Sequence, residues 1–215
     1  MKRLVNIFLF LLFFAAGCKQ KSKTPAIIYD LQKMAENQKK IDLIKLQVRA
    51  GDLVFRNGND EVSQAARSFN RKDTSYSHCG LVFIENDSVM VYHALGGTYN
   101  PGQHLMRQPI DSFCNPKENT SFGIYRYPLS DTENKLLKET VNTYYKAGLR
   151  FDLYFNFQSD EEMYCAEFVF KSLNKAKSNS LIRYVKLDTL PFGVTTDDLF
   201  LNPNSKLVKK EFFTY

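Results

Sequence analysis

An α+β domain, an antiparallel sheet packed on helices, is what three stretches of this sequence predict. Residues 75–84 and 89–95 are β-rich runs on either side of Glu85-Asn86-Asp87-Ser88, the pattern of a hairpin. Ser130-x-x-Glu133 is a capping box ahead of Leu136, Leu137, Val141, Tyr144 and Tyr145, the inner side of a helix that Gly148 ends. Ala166, Val169, Phe170 and Leu173 fall at i, i+3, i+4 and i+7, one apolar face of a second helix, with Cys165 at its start. The chain has 215 residues, 44% of them hydrophobic, with no internal repeat and no linker long enough to divide it, so one substantial domain is expected.

The first segment lies outside that domain. Lys2 and Arg3 precede a run from Val5 to Phe14 that is apolar apart from Asn6, and Ala15-Ala16-Gly17 stands before Cys18. This resembles a bacterial lipoprotein signal, and its apolar run is too short for a spanning helix. The resemblance implies cleavage before Cys18, acylation of that cysteine, export, and a protein held at the cell envelope through its lipid. Residues 1–17 are then the signal, 18–26 a lipid-anchored tether and 27–215 the folded domain.

Without residues 1–17 the formal charge falls from +6 to +4, 27 Lys and Arg against 23 Asp and Glu. The basic residues are scattered, with no run of the kind nucleic-acid binding needs. Cys79, Cys114 and Cys165 remain after the anchor, and an odd number leaves at least one thiol free in an exported protein. No CxxC or HExxH spacing occurs, so neither a metal nor a cofactor is expected.

Residues 29–48 read as an amphipathic helix with Gly51 as its C-cap, and Leu53-Val54-Phe55 as a strand. Residues 62–69 fit a short helix along one wall of a cleft. In the hairpin, a loop of two or four residues pairs residue i with 173 − i. His78 and His93 then share a face as diagonal neighbours, about 7–8 Å apart at the backbone, whereas a loop of three or five separates them. Both sheet faces are otherwise apolar, so two histidines there need partners. Residues 98–119 read as loop, with His104 facing solvent, and 121–127 as a strand. The aromatic stretch 151–157 borders the cleft, and two apolar-rich runs, 184–190 and 207–213, read as strands or covering loops.

A thiol in the first turn of a helix feels the positive end of the dipole and its unpaired N–H groups, which favour thiolate. Alone, Cys165 reads sooner as a small buried residue than as a nucleophile, and Ser159-x-x-Glu162 is a competing helix start that would move it to the second turn. A thiolate nucleophile needs an imidazole to hold and return the proton and a polar group to fix that imidazole's tautomer. Cys165, His78 and His93 can fill those places, with the Cys165 N–H as oxyanion donor. Tyr164 and Tyr76, beside the cysteine and the histidine, are the expected substrate contacts.

Gly51-Asp52-Leu53-Val54-Phe55, Ser77-His78-Cys79-Gly80-Leu81-Val82, Val91-Tyr92-His93-Ala94, Phe151-Asp152-x-x-Phe155 and Tyr164-Cys165-Ala166-Glu167-Phe168-Val169 occur in an order that resembles the YiiX/YebB-like, circularly permuted papain-like hydrolases of the NlpC superfamily. The resemblance covers roughly residues 45 to 175. It implies an α+β papain-like (NlpC-type) core of permuted topology, Cys165 as nucleophile and His78 as base. One position departs: His93 stands where the family often has glutamate, so imidazolium stabilisation should be weaker. The expected activity is cleavage of an amide or ester bond in a peptidoglycan-derived peptide, an N-acyl amino acid or a lipid, and the aromatic wealth at 144–157 points toward an acyl group. A binding lipoprotein that keeps the cleft without turnover is the alternative, and a metal site of His78, His93 and Cys165 a third.

Overall fold

The computed structural model describes residues 30–185 and 193–215. The leader, Cys18, the tether and most of the 184–190 run lie outside the described residues. Six strands, β1 (Leu53–Gly58), β2 (His78–Glu85), β3 (Ser88–His93), β4 (Met106–Pro109), β5 (Asn119–Arg126) and β6 (Lys206–Phe212), form one sheet in the order β4-β3-β2-β1-β5-β6, every neighbour antiparallel.

The hairpin has the two-residue loop. Asn86 and Asp87 take φ of 47° and 61°, the left-handed pair that matches strand twist, and Leu81↔Tyr92 through Glu85↔Ser88 follow the 173 − i register. Alternation along the strands divides the core. Leu53, Phe55, Leu81 and Phe83 face α4 (Asp131–Lys146) and α5 (Cys165–Ala176), whose Leu137, Val141, Phe168 and Leu173 are buried against them. Val54, Val82, Val91, Phe122 and Ile124 face the opposite way, covered by Ile41 and Ile44 of α1 (Leu31–Lys45) and by Ile110 and Phe113 of α3 (Ile110–Phe113). The sheet is thus a filled middle layer.

The sequence boundaries shift in three places. The first helix ends at Lys45 with Leu46 as its C-cap, and Gly51, at φ +86°, makes the turn into β1 instead of capping the helix. Within 98–119 stand β4 and α3, each four residues long and therefore too short to show periodicity. The helix at the cysteine begins at Cys165, not at the upstream capping box: Tyr164 is its N-cap in extended backbone, and the Glu167 carboxylate accepts the Tyr164 N–H at 3.2 Å. Ser130 and Glu133 cap α4 as expected.

Asp52, from the Gly-Asp motif, is buried and takes both Nε and Nη2 of Arg126 at 2.7 Å, as well as the Arg49 N–H at 2.8 Å. This fork ties the start of β1 to the end of β5. Asp52→Ala would strand a guanidinium in a site shaped for a carboxylate, so it should cost about 3 kcal/mol of stability in denaturant unfolding. Asp52→Ala unfolding at the wild-type midpoint would show the fork to be dispensable.

Candidate active site

Cys165 is the first residue of α5, where the helix's leading N–H groups are unsatisfied by the helix itself. The Cys79 thiol and backbone N–H groups of Cys79 and of the first turn of α5 face its sulfur. The Cys79 thiol first, then these backbone donors, hold the Cys165 thiol below the ordinary value against the opposing effect of burial. Burial pushes Cys79 itself well up, so it stays a protonated donor. Cys79 follows His78 in β2 and points to the α5 side of the sheet, which is why it meets Cys165.

His78 and His93 share the other face, as the two-residue loop requires. His78 Nε2 lies 2.8 Å from His93 Nδ1, the rings edge to face with centroids 5.0 Å apart. Gly80 permits this approach, since a Cβ there would stand 3.1 Å from the His93 Cβ and closer still to Val91. Phe113 of α3 supports the pair, stacked on His78 at 5.6 Å and edge-on to His93 at 5.0 Å. Both histidines are buried, and burial first, then the positive charge of Arg56, drives their pKa values well below the ordinary histidine range. Both rings are therefore neutral near pH 7. A bond from His78 Nε2–H to His93 Nδ1 places the His93 proton on Nε2, which has no protein partner, and leaves the Nδ1 lone pair of His78 free.

A cavity of about 390 Å³ opens onto Cys165 and His78. Its walls include Arg56, Tyr164, Phe151, Leu153 and Phe155, together with Val62, Ala66 and Phe69 on and beside α2 (Glu61–Ser68). None of the residues of α2 is buried, so its apolar side is turned to the cavity and not to the core. The loop before β2 is pinned beside it: Asp197, at the start of α6 (Thr196–Phe200), accepts the N–H groups of Arg71, Lys72 and Asp73.

The predicted residues are not all brought together. Cys165, His78 and Tyr164 line the cavity, and His93 lies behind His78, bonded to it. Tyr164 Oη also accepts the Val194 N–H at 2.9 Å, so its ring is part of the wall. Tyr76 is placed in the core, away from the residues that line the cavity. It is fully buried, packs edge-on against Tyr125 and Phe200, and sits where any Cβ on Gly123 would collide with its hydroxyl. His104 is exposed and bonded to the Gly148 carbonyl. Sequence reasoning passed over Cys79, Arg56 and Phe113. Strand parity carries a signal for Cys79, opposite in face to His78; Phe113 has none, because α3 is invisible in the pattern.

Residues 47–200 match the model of a family described as permuted papain-like amidase enzymes, YaeF/YiiX, C92 family. A crystal structure of YiiX from Escherichia coli O157:H7, titled a metalloprotein, superposes with a TM-score of 0.58 at 21% identity, covering 77% of this chain and 99% of that one. The two share a fold. No curated protein matches the chain.

Proposed function

From the premise that this chain belongs to the permuted papain-like amidase family, and is a hydrolase of that type, we propose that Cys165 is its nucleophile, His78 its base and His93 the residue that orients His78. The observation that carries this reading is the position of Cys165: a thiol at the head of a buried helix, supplied with N–H and S–H donors, on the wall of the cavity that His78 also lines. His78 takes the Cys165 thiol proton at Nδ1, the resulting thiolate attacks the carbonyl carbon of an amide or ester, and the Cys165 N–H is available to the developing oxyanion. His78, its Nε2–H held by His93, gives the proton at Nδ1 to the leaving nitrogen or oxygen as the C–N or C–O bond breaks. Water, deprotonated by His78, then attacks the thioester carbon; the C–S bond breaks and the thiolate is restored.

The apolar walls supplied by α2 and by residues 151–155 favour an acyl group over a polar sugar-peptide. The leader at 1–17 supports an envelope protein tethered through lipidated Cys18, ahead of the first described residue. The solved relative's title names a metalloprotein. The donors here do not fit a metal: His78 Nε2 and His93 Nδ1 are spent on each other, and among the described residues no group of three or more His, Cys, Asp or Glu gathers to ligate one. No step is routed through one.

Alkylation tests the nucleophile. Iodoacetamide at pH 7 should label Cys165 faster than a model thiol, with the rate rising with pH and levelling at a lower pH than the model's, because its pKa is lowered. Cys79 and Cys114, fully buried with thiols pushed up, should stay unlabelled by mass spectrometry while the fold is intact. Labelling of Cys165 no faster than the model thiol would remove the assignment.

A further inference from the structure

Arg56 is a half-buried cation on the cavity wall. Arg71, Arg107, Arg126 and Arg150 each meet a carboxylate, but among the described residues Arg56 makes no ion pair. Its Nη1 donates to the Phe113 carbonyl at 3.0 Å and its guanidinium lies 4.7 Å over the Phe113 ring. Those contacts fix the plane of the guanidinium and leave further N–H donors unspent. A guanidinium withdrawn from water with nothing to neutralise it is costly. Its place is specific: Arg56 on β1 pairs directly with His78 on β2, and opposed residues hold their Cβ atoms about 4.5–5.5 Å apart. An anion on Arg56 therefore sits beside the bond that Cys165 and His78 would cleave.

Two carboxylates, Asp60 and Glu118, also line the cavity. Asp60 is committed to α2, accepting the Ser63 N–H at 2.9 Å and its hydroxyl at 2.7 Å. Both act on Arg56 at longer range without pairing with it. Their charge opposes a dianion such as a phosphate monoester and tolerates a single carboxylate. Val62, Ala66 and Phe69 supply the apolar surface opposite.

Resting on the hydrolase reading above, we infer that Arg56 receives the free carboxylate of the substrate's leaving half, so that the substrate is an acyl amide of an α-amino acid. The amide C–N bond breaks as the thioester C–S bond forms, and the proton from His78 goes to the amino nitrogen. Water supplies the oxygen of the released fatty acid, and the products are that acid and the free amino acid. The Arg56 fork engages the carboxylate and the chain lies along α2.

The test compares N-lauroylglycine with N-lauroylglycinamide, which differ only in that charge. Wild-type kcat/KM should favour the carboxylate about 10- to 100-fold, the range of a charge-assisted pair. Arg56→Gln should bring the ratio near one, and Arg56→Lys, which keeps the charge but loses the fork, should fall between. A wild-type ratio within twofold, or a ratio that survives in Arg56→Gln, overturns the carboxylate assignment. Equal cleavage of N-acetylalanylalanine overturns the acyl half. If the wild type cleaves neither lauroyl compound, the hydrolase reading has failed and calorimetry on Cys165→Ala decides alone. Tighter binding of N-lauroylglycine that a second change, Arg56→Gln, abolishes upholds the receptor, whereas equal binding of the two compounds rejects it.

Discussion

Cys165→Ala should lower the hydrolysis of any acyl amide or ester the wild-type protein cleaves by about 10³-fold or more. The thiolate forms and breaks the bond to the acyl carbon, and no neighbour can substitute. Cys79 is the nearest thiol, but burial keeps it protonated and it is fully shielded from the cavity side. The oxyanion donor and the apolar walls survive the substitution, so substrate binding should persist while turnover disappears. The fold should persist too: Cys165 is only partly buried, and the N-cap contact between Tyr164 and Glu167 does not involve its sulfur. Circular dichroism and thermal unfolding close to wild type, measured with the rate, separate lost chemistry from lost structure. Turnover at an unchanged rate in folded Cys165→Ala would place the nucleophile elsewhere. Binding without turnover in both proteins would instead fit a binding lipoprotein that has kept the cleft.

The half of this site that could be read in the sequence is the half governed by strand parity and helix periodicity. Once Asn86-Asp87 is taken as the loop, the register of β2 and β3 follows, and with it the shared face of His78 and His93. The apolar face at Ala166, Val169, Phe170 and Leu173 likewise marks a helix with Cys165 in its first or second turn, and the extended backbone of Tyr164 decides for the first. What could not be read depends on packing across long sequence separations. Phe113 holds both histidines and Arg56, yet it belongs to a helix of four residues that follows Pro109 in a stretch resembling loop. Cys79 and Cys165 are 86 residues apart, and only the docking of α5 on the sheet brings their sulfurs together. Tyr76 stands before β2, so no parity argument applied to it; it went to the core because Gly123 leaves room and Phe55, Tyr125 and Phe200 surround it. Arg56 directly follows the apolar run Leu53-Val54-Phe55, whereas β1 runs on to Gly58 and carries it opposite His78.

His78→Ala should cost about 10²–10⁴-fold in kcat/KM, the usual contribution of a positioned base. The pH profile distinguishes that role from a structural one. The base must hold a lone pair, and its pKa lies well below the ordinary histidine range, through burial first and the Arg56 charge second. Activity should therefore rise with pH through a limb below 6.5, and Arg56→Gln, by removing a nearby cation, should move the limb upward toward the ordinary histidine range. His93 acts through His78. In the tautomer that leaves His78 Nδ1 free to act as base, His93 Nδ1 accepts the His78 Nε2–H, so His93→Gln, which can offer an amide oxygen, should retain more activity than His93→Leu, which leaves that buried N–H without an acceptor. A carboxylate in that place would have raised the pKa of His78 and stabilised the imidazolium; a neutral ring beside Arg56 does the reverse. The free energy that an imidazolium–carboxylate pair would contribute must then come from the thiolate side, where the Cys79 thiol and the helix-start N–H groups hold the Cys165 thiol below its ordinary value. If Gln and Leu at position 93 are equally impaired and the acid limb does not move in Arg56→Gln, the two histidines are a packing pair and His78 is not the base.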